Sequence, residues 1–157
     1  NLKYRFLGDF DREMLALIRS VKDFQALPVQ KVWDNDGDQV LAYMRGEYVF
    51  VFNFSPAQSF TDYGLLTPPG TYRTVLNTDD PRFGGNGLTD DAIEHLTQYP
   101  LYEKEYKGWL KLYLPARTAM VLKRLPEVRS LSVEQGEMEK RRVRKKRCHA
   151  KGKNNVM

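Results

Sequence analysis

Apolar residues first recur at helical spacing, in Phe10, Met14, Leu17, Ile18 and Val21, so the chain is predicted to open with an amphipathic helix. Asp9 is placed to cap it, with Asp11 and Glu13 near its positive end. Leu27-Pro28 closes the helical region, because proline disfavours helix in the residue before it and has no N–H to donate. From there the period is two. Val29 to Trp33 reads as a strand, Asn35-Asp36-Gly37-Asp38 supplies residues that tolerate positive φ at a tight hairpin, and Gln39 to Met44 returns. Arg45-Gly46-Glu47 turns again. Tyr48 to Phe54, YVFVFNF, is apolar on both faces and is expected to be a central strand.

Pro56 stops that strand, Phe60 to Leu66 is expected at an edge, and Thr67-Pro68-Pro69-Gly70 turns the chain into the alternating strand Thr71 to Leu76. Asn77 to Thr89 reads as loop. Asp90 to Tyr106 is ambiguous: Ala92, Ile93 and Leu96 suit one helical turn, while Pro100 and the charges suit an excursion over the surface. Trp109 to Leu114 and Thr118 to Leu122 read as a final pair of strands turning through Pro115-Ala116-Arg117. The expected fold is therefore mainly β, an antiparallel sandwich of about seven strands after a short helical segment.

Composition adds three restrictions. With 41% hydrophobic and 12% aromatic residues, 157 residues suffice for one core of ordinary size. No apolar run approaches the roughly 18 residues that cross a bilayer, and the opening NLKYRFLGDFD lacks the apolar stretch of a secretory signal. A single cysteine, Cys148, cannot close a disulfide within the chain, so packing must hold the fold and a cytoplasmic location is expected. The net charge of +5 is concentrated at the end: residues 130–157 hold nine of the 25 Lys and Arg and three of the 20 acids, leaving −1 for residues 1–129. The run Lys140-Arg141-Arg142-Val143-Arg144-Lys145-Lys146-Arg147 attracts polyanions. It lacks aromatics for base stacking, and residues 126–157 read as a basic, disordered tail with no nucleic-acid role assigned.

Candidate chemistry is sparse. Asp34, Asp36 and Asp38 alternate as in a calcium loop, but Gln39 and Arg45 stand where the helix–loop–helix motif needs Gly and Glu. A solvated turn is the better reading, and no metal is expected. Asp79 and Asp80 are adjacent carboxylates, whereas glycoside chemistry needs two acids facing across a sugar roughly 5 to 10 Å apart. Loop capping explains them better. His95 is far from His149, only His149 adjoins Cys148, and no serine occupies a nucleophile-elbow motif. No catalytic residue, metal ligand or cofactor-binding motif is assigned, and the substrate-binding residues are unknown. Trp33, Tyr43, Tyr48, Tyr72, Trp109 and Tyr113 are expected mostly in the core, with a sugar-stacking platform as the alternative use.

Particular strings are more informative. LKYRFLGDFDREM (Leu2 to Met14), MRGEYVFVFNFSP (Met44 to Pro56), SFTDYG (Ser59 to Gly64), PGTYRTVLNTDDPRFGG (Pro69 to Gly85) and LYLPARTAMVL (Leu112 to Leu122) resemble, in order, the end of glycogen and starch branching enzymes of the α-amylase superfamily. Ser55 departs from the family pattern, which often has His there, and so does everything from Glu127 onward. The resemblance implies residues 1–27 as the helical end of a catalytic (β/α)8 barrel and 28–125 as an all-β C-terminal domain bracing that barrel. It also implies a parent that transfers α-1,4 glucan chains to α-1,6 branch points by a retaining carboxylate mechanism, with the acids upstream of Asn1. The chain is then a cut through a larger protein, inactive alone, partnered by the missing barrel and by α-glucan, with its first helix loosely held. An autonomous carbohydrate-binding module is the alternative.

Overall fold

Residues 4–98 and 108–126 are described by the computed structural model. They contain one α-helix, α1 (Arg5–Ser20), and eight strands: β1 (Val29–Asn35), β2 (Val40–Arg45), β3 (Tyr48–Asn53), β4 (Phe60–Thr67), β5 (Thr71–Asn77), β6 (Glu94–Leu96), β7 (Gly108–Leu114) and β8 (Thr118–Arg124). Six form an antiparallel sheet in the order β1-β2-β3-β8-β5-β6, and β4 pairs with β7 in a second sheet. The expected antiparallel sandwich is present, with eight strands among the described residues rather than about seven.

The additional strand, Glu94–Leu96, lies in the ambiguous segment and pairs with the start of β5 instead of making a helical turn. The pairing aligns Thr71 with Leu96 and Arg73 with Glu94; isolated apolar residues at helical spacing could not reveal that partner. The remainder of that segment, residues 99–106, lies outside the described residues. The last two strands do not pair with each other either, because the Pro115-Ala116-Arg117 turn carries the chain from the small sheet into the large one. Arg117 takes φ 56° there. Strand β8 thereby enters between β3 and β5, bringing the end of the β domain into its middle.

Alternation divides the large sheet into two faces. Val40, Ala42 and Met44 of β2, Val49 and Val51 of β3, and Met120 and Leu122 of β8 meet Leu65, Leu110, Leu112 and Leu114 of the small sheet in the main core. The opposite face of β3 and β8 carries Tyr48, Phe50 and Val121, joined by Leu76 across a register shift in β5 between Thr74 and Leu76. That shift moves Leu76 off the alternation that places Tyr72 and Thr74 inward. Helix α1 covers this second face with Phe10, Met14, Leu17 and Val21, and Phe10 stands edge-on to Phe83 at 5.3 Å. Thus β3 is apolar on both sides because a sheet covers one face and a helix the other.

Two local expectations are corrected. Helix α1 starts before Asp9: Tyr4 occupies the N-cap without a side-chain cap bond, the first turn has no acid, and Asp9 instead accepts from Arg12 within the helix at 2.8 Å. At the first hairpin Gln39 takes the positive φ of 56°, not a member of the quartet before it. The Asn35 side chain holds that quartet, accepting from the Asp38 N–H at 3.0 Å and donating to its carboxylate at 2.8 Å, so the reversal is delayed to the next residue. Residues 1–126 form one compact unit.

Candidate functional site

The loop after β5 is organised by Asn77 and Asp79. Asn77 is 2% exposed; its side-chain oxygen accepts from the Asp79 N–H at 2.9 Å, and its amide donates to Thr89 Oγ1 and to Asp91 Oδ1. Asp79 is 3% exposed and accepts from the backbone N–H groups of Asn86 at 3.1 Å and Leu88 at 2.6 Å. Asp80 caps the 3₁₀ turn Pro81–Phe83 through the Arg82 N–H at 2.7 Å and pairs with the Arg82 guanidinium. This hydrogen bond from Arg82, more than the opposing burial, holds the Asp80 carboxyl below the usual carboxylate range. The two adjacent carboxylates therefore close a loop in different directions and do not face a common cleft. Burial raises the pKa of the nearby Asp91, whose carboxylate accepts from the Asn77 amide.

The acidic hairpin is likewise committed. Asp38 accepts from Asn35 and from the Tyr63 hydroxyl at 2.8 Å, while Asp34 pairs with Lys31 at 3.0 Å. Trp33 Nε1 donates to the same Tyr63 hydroxyl at 2.9 Å. Burial first, and the bond to Asp38 second, push the Tyr63 phenol upward. His95 is half-buried on β6, and burial lowers its pKa against a smaller opposing effect from the Lys111 backbone. Cys148 and His149 lie outside the described residues.

The six candidate aromatics separate into different environments. Tyr72 is fully buried, donating to the Pro68 carbonyl at 2.7 Å, and Tyr48 lies under α1. Trp33 meets Trp109 edge-on at 6.3 Å, and Tyr113 is half-buried on β7. Tyr43 belongs to a row on the helix-side face: it stacks on Phe50 at 4.8 Å and 10° and on Phe52 at 5.8 Å and 19°, and Phe52 stacks on Phe54 at 5.6 Å and 5°. Near-parallel rings at these separations lean on one another's faces. A pyranose needs an open ring face, so this arrangement is poor as a sugar platform and good as an apolar ridge. Phe54 ends the row and is 61% exposed.

Sequence reasoning assigned no anchoring role to two buried polar residues, Asn53 and Ser55. Asn53 donates to the carbonyls of Gln58 and Pro115, both at 2.9 Å, and accepts from the Ser55 N–H at 3.0 Å. Ser55 Oγ accepts from the Gln58 N–H. Their signal was the polar interruption of an otherwise apolar string, FNFS, at a strand end. Asn53 and Asn77 both tie a strand end to the loop after it.

The described residues thus form a sandwich with an apolar ridge and a helix on one outer face, with Asp38, Asp79 and Asp80 held in loop hydrogen bonds. The chain is similar to the 1,4-alpha-glucan-branching enzymes of Emericella nidulans, 38% identical over 125 residues, Candida glabrata, 38% over 124, and Felis catus, 35% over 122. These matches cover 77–78% of this chain but 17–18% of the relatives, so the chain spans under a fifth of their length. The model of the alpha amylase C-terminal all-beta domain matches residues 32–124. That range runs from within β1 to the last residue of β8, across both sheets, and the chain belongs to this family.

Proposed function

We propose that this chain is the non-catalytic β domain of a 1,4-α-glucan-branching enzyme, bracing a catalytic barrel that supplies the reacting acids. The observation carrying this reading is its similarity over more than three-quarters of its length to branching enzymes several times longer. The commitment of Asp79 and Asp80 to backbone and arginine hydrogen bonds supports it, since a retaining glycosyl transfer needs two carboxyl groups facing each other about 5 Å apart. In this reading residues 1–27 belong with the end of the barrel region, residues 28–125 form the brace, and the parent acts on glycogen or starch in the cytoplasm. The β domain requires no metal or cofactor, and it approaches α-glucan as a neighbour of the barrel rather than through a stacking platform of its own.

The test replaces the matching stretch of the Emericella nidulans branching enzyme with residues 1–126 of this chain and measures α-1,6 branch formation by iodine absorbance and debranched chain length. Activity in the chimera together with none in the isolated chain is the expected result. Branching by the isolated chain, or a folded but inactive chimera, overturns the proposal.

A further inference from the structure

We propose that the Asn86-Gly87 pair is a site of isoaspartate formation, gated by the hydrogen bonds that wrap the loop after β5 around Asp79, whatever protein the domain serves. Asparagine followed by glycine is prone to ring closure, because no side chain on the second residue shields its backbone nitrogen. The fold itself demands this glycine. Gly87 takes φ 66°, and a β-carbon on it would lie 3.0 Å from Pro81 Cγ. Both residues of the pair are exposed, so water and hydroxide reach them. The reacting nitrogen is nevertheless held. Gly87 N–H donates to the Asp79 carbonyl at 2.8 Å, and the N–H groups on either side, of Asn86 and Leu88, donate to the Asp79 carboxylate at 3.1 and 2.6 Å. Three consecutive N–H groups are thus pinned to a single residue that is 3% exposed.

Ring closure needs the Gly87 nitrogen, deprotonated by hydroxide, to turn onto the side-chain carbonyl carbon of Asn86. The N–Cγ bond forms, the Cγ–Nδ2 bond breaks, and ammonia leaves after taking a proton back from water. A second water opens the succinimide. Attack at the carbonyl derived from the Asn86 main chain leaves the peptide link running through Cγ, as isoaspartate; attack at Cγ leaves ordinary aspartate. Either product places a new carboxylate beside that of Asp79, and isoaspartate adds one methylene to the main chain between the N–H groups of residues 86 and 87. The spacing by which residues 86–88 grip Asp79 is then lost, so a loop that has reacted cannot close as before. Phe83 of the same loop meets Phe10 of α1 at 5.3 Å, and conversion therefore loosens the seat of the helix as well. The chemistry waits on opening of the cradle and then makes the opening permanent.

The experiment holds the 157-residue chain in mildly alkaline buffer across a urea series. Conversion at Asn86 is followed by peptide mapping with mass spectrometry, and isoaspartate by methyl transfer from labelled S-adenosylmethionine with an isoaspartyl carboxyl methyltransferase. The folded chain is expected to convert about tenfold or more slowly than the urea-unfolded chain, with the rate already rising below the global unfolding midpoint as the loop opens. Gly85→Ala, whose added methyl meets the Asp79 backbone, and Asp79→Asn, which removes the charge that two N–H groups grip, are each expected to speed conversion in the folded chain about threefold or more. Equal rates in the folded and unfolded chains overturn the proposal. So does a rise confined to global unfolding, which assigns the protection to the fold as a whole, or a variant that stays folded by circular dichroism and keeps the parent rate. Conversion in the unfolded chain without any methylatable product excludes the succinimide route and overturns it too. If a variant fails to fold, the urea series on the parent chain decides.

Discussion

Gly85 shows how one atom constrains the loop after β5. A β-carbon there would lie 2.1 Å from the Asp79 carbonyl carbon and 2.2 Å from its oxygen, far inside contact distance, and the obstacle is backbone. Gly85→Ala must therefore move the segment whose N–H groups reach the Asp79 carboxylate. A loss of about 2 to 4 kcal/mol is expected by denaturant titration, as for other disruptions of a buried polar network; an unchanged midpoint would show that the loop opens freely. His95 offers a test through pH. Its pKa is lowered by burial, so the folded state binds the proton less readily than the unfolded state, whose ordinary value is 6.5. Its neutral form contributes stability that is present above that value and diminishes as pH falls below it. The imidazole resonances should titrate with a midpoint below 6.5, and His95→Gln should flatten the acid-side fall in stability; a midpoint above 6.5 contradicts this.

Strand β3 and helix α1 are held in different ways. Strand β3 is bonded on both sides, to β2 and β8, with Val49 and Val51 buried. Helix α1 has no buried side chain and meets the rest through half-buried residues of one stripe. Hydrogen exchange followed by mass spectrometry should therefore find the amides of residues 9–20 exchanging well before those of β3 and β8 in the isolated chain. Equal protection would show that the helix opens only with the whole domain. Docking still matters: Phe10→Ala removes the edge-on contact with Phe83 and is expected to cost about 1 to 3 kcal/mol, a discount on a fully buried phenylalanine.

At the scale of the molecule, the boundary at Pro126 separates a nearly neutral β unit from the basic run Lys140 to Arg147. Removing residues 127–157 is expected to leave the melting temperature of the remainder unchanged within roughly 2 °C, because residues 1–126 form a compact unit with its own core. Heparin or nucleic-acid retention should vanish with the same deletion, since counterion release depends on clustered cations. Retention by residues 1–126 would place a polyanion site on the β unit and overturn the charge argument.

By itself the sequence determined the class of fold, the first helix and seven of the strands, because alternation and helical spacing are local and the turn residues mark their limits. Its ordered strings also carried the family resemblance. Tertiary structure alone decided that β7 and β8 belong to different sheets, that β8 lies between β3 and β5, and that Glu94–Leu96 is a strand. Those facts depend on partners distant along the chain, which a periodicity cannot encode. The same applies to Tyr43: the sequence made it a candidate for core or for sugar stacking, and only its tilt and spacing relative to Phe50 and Phe52 placed it in a row of stacked rings.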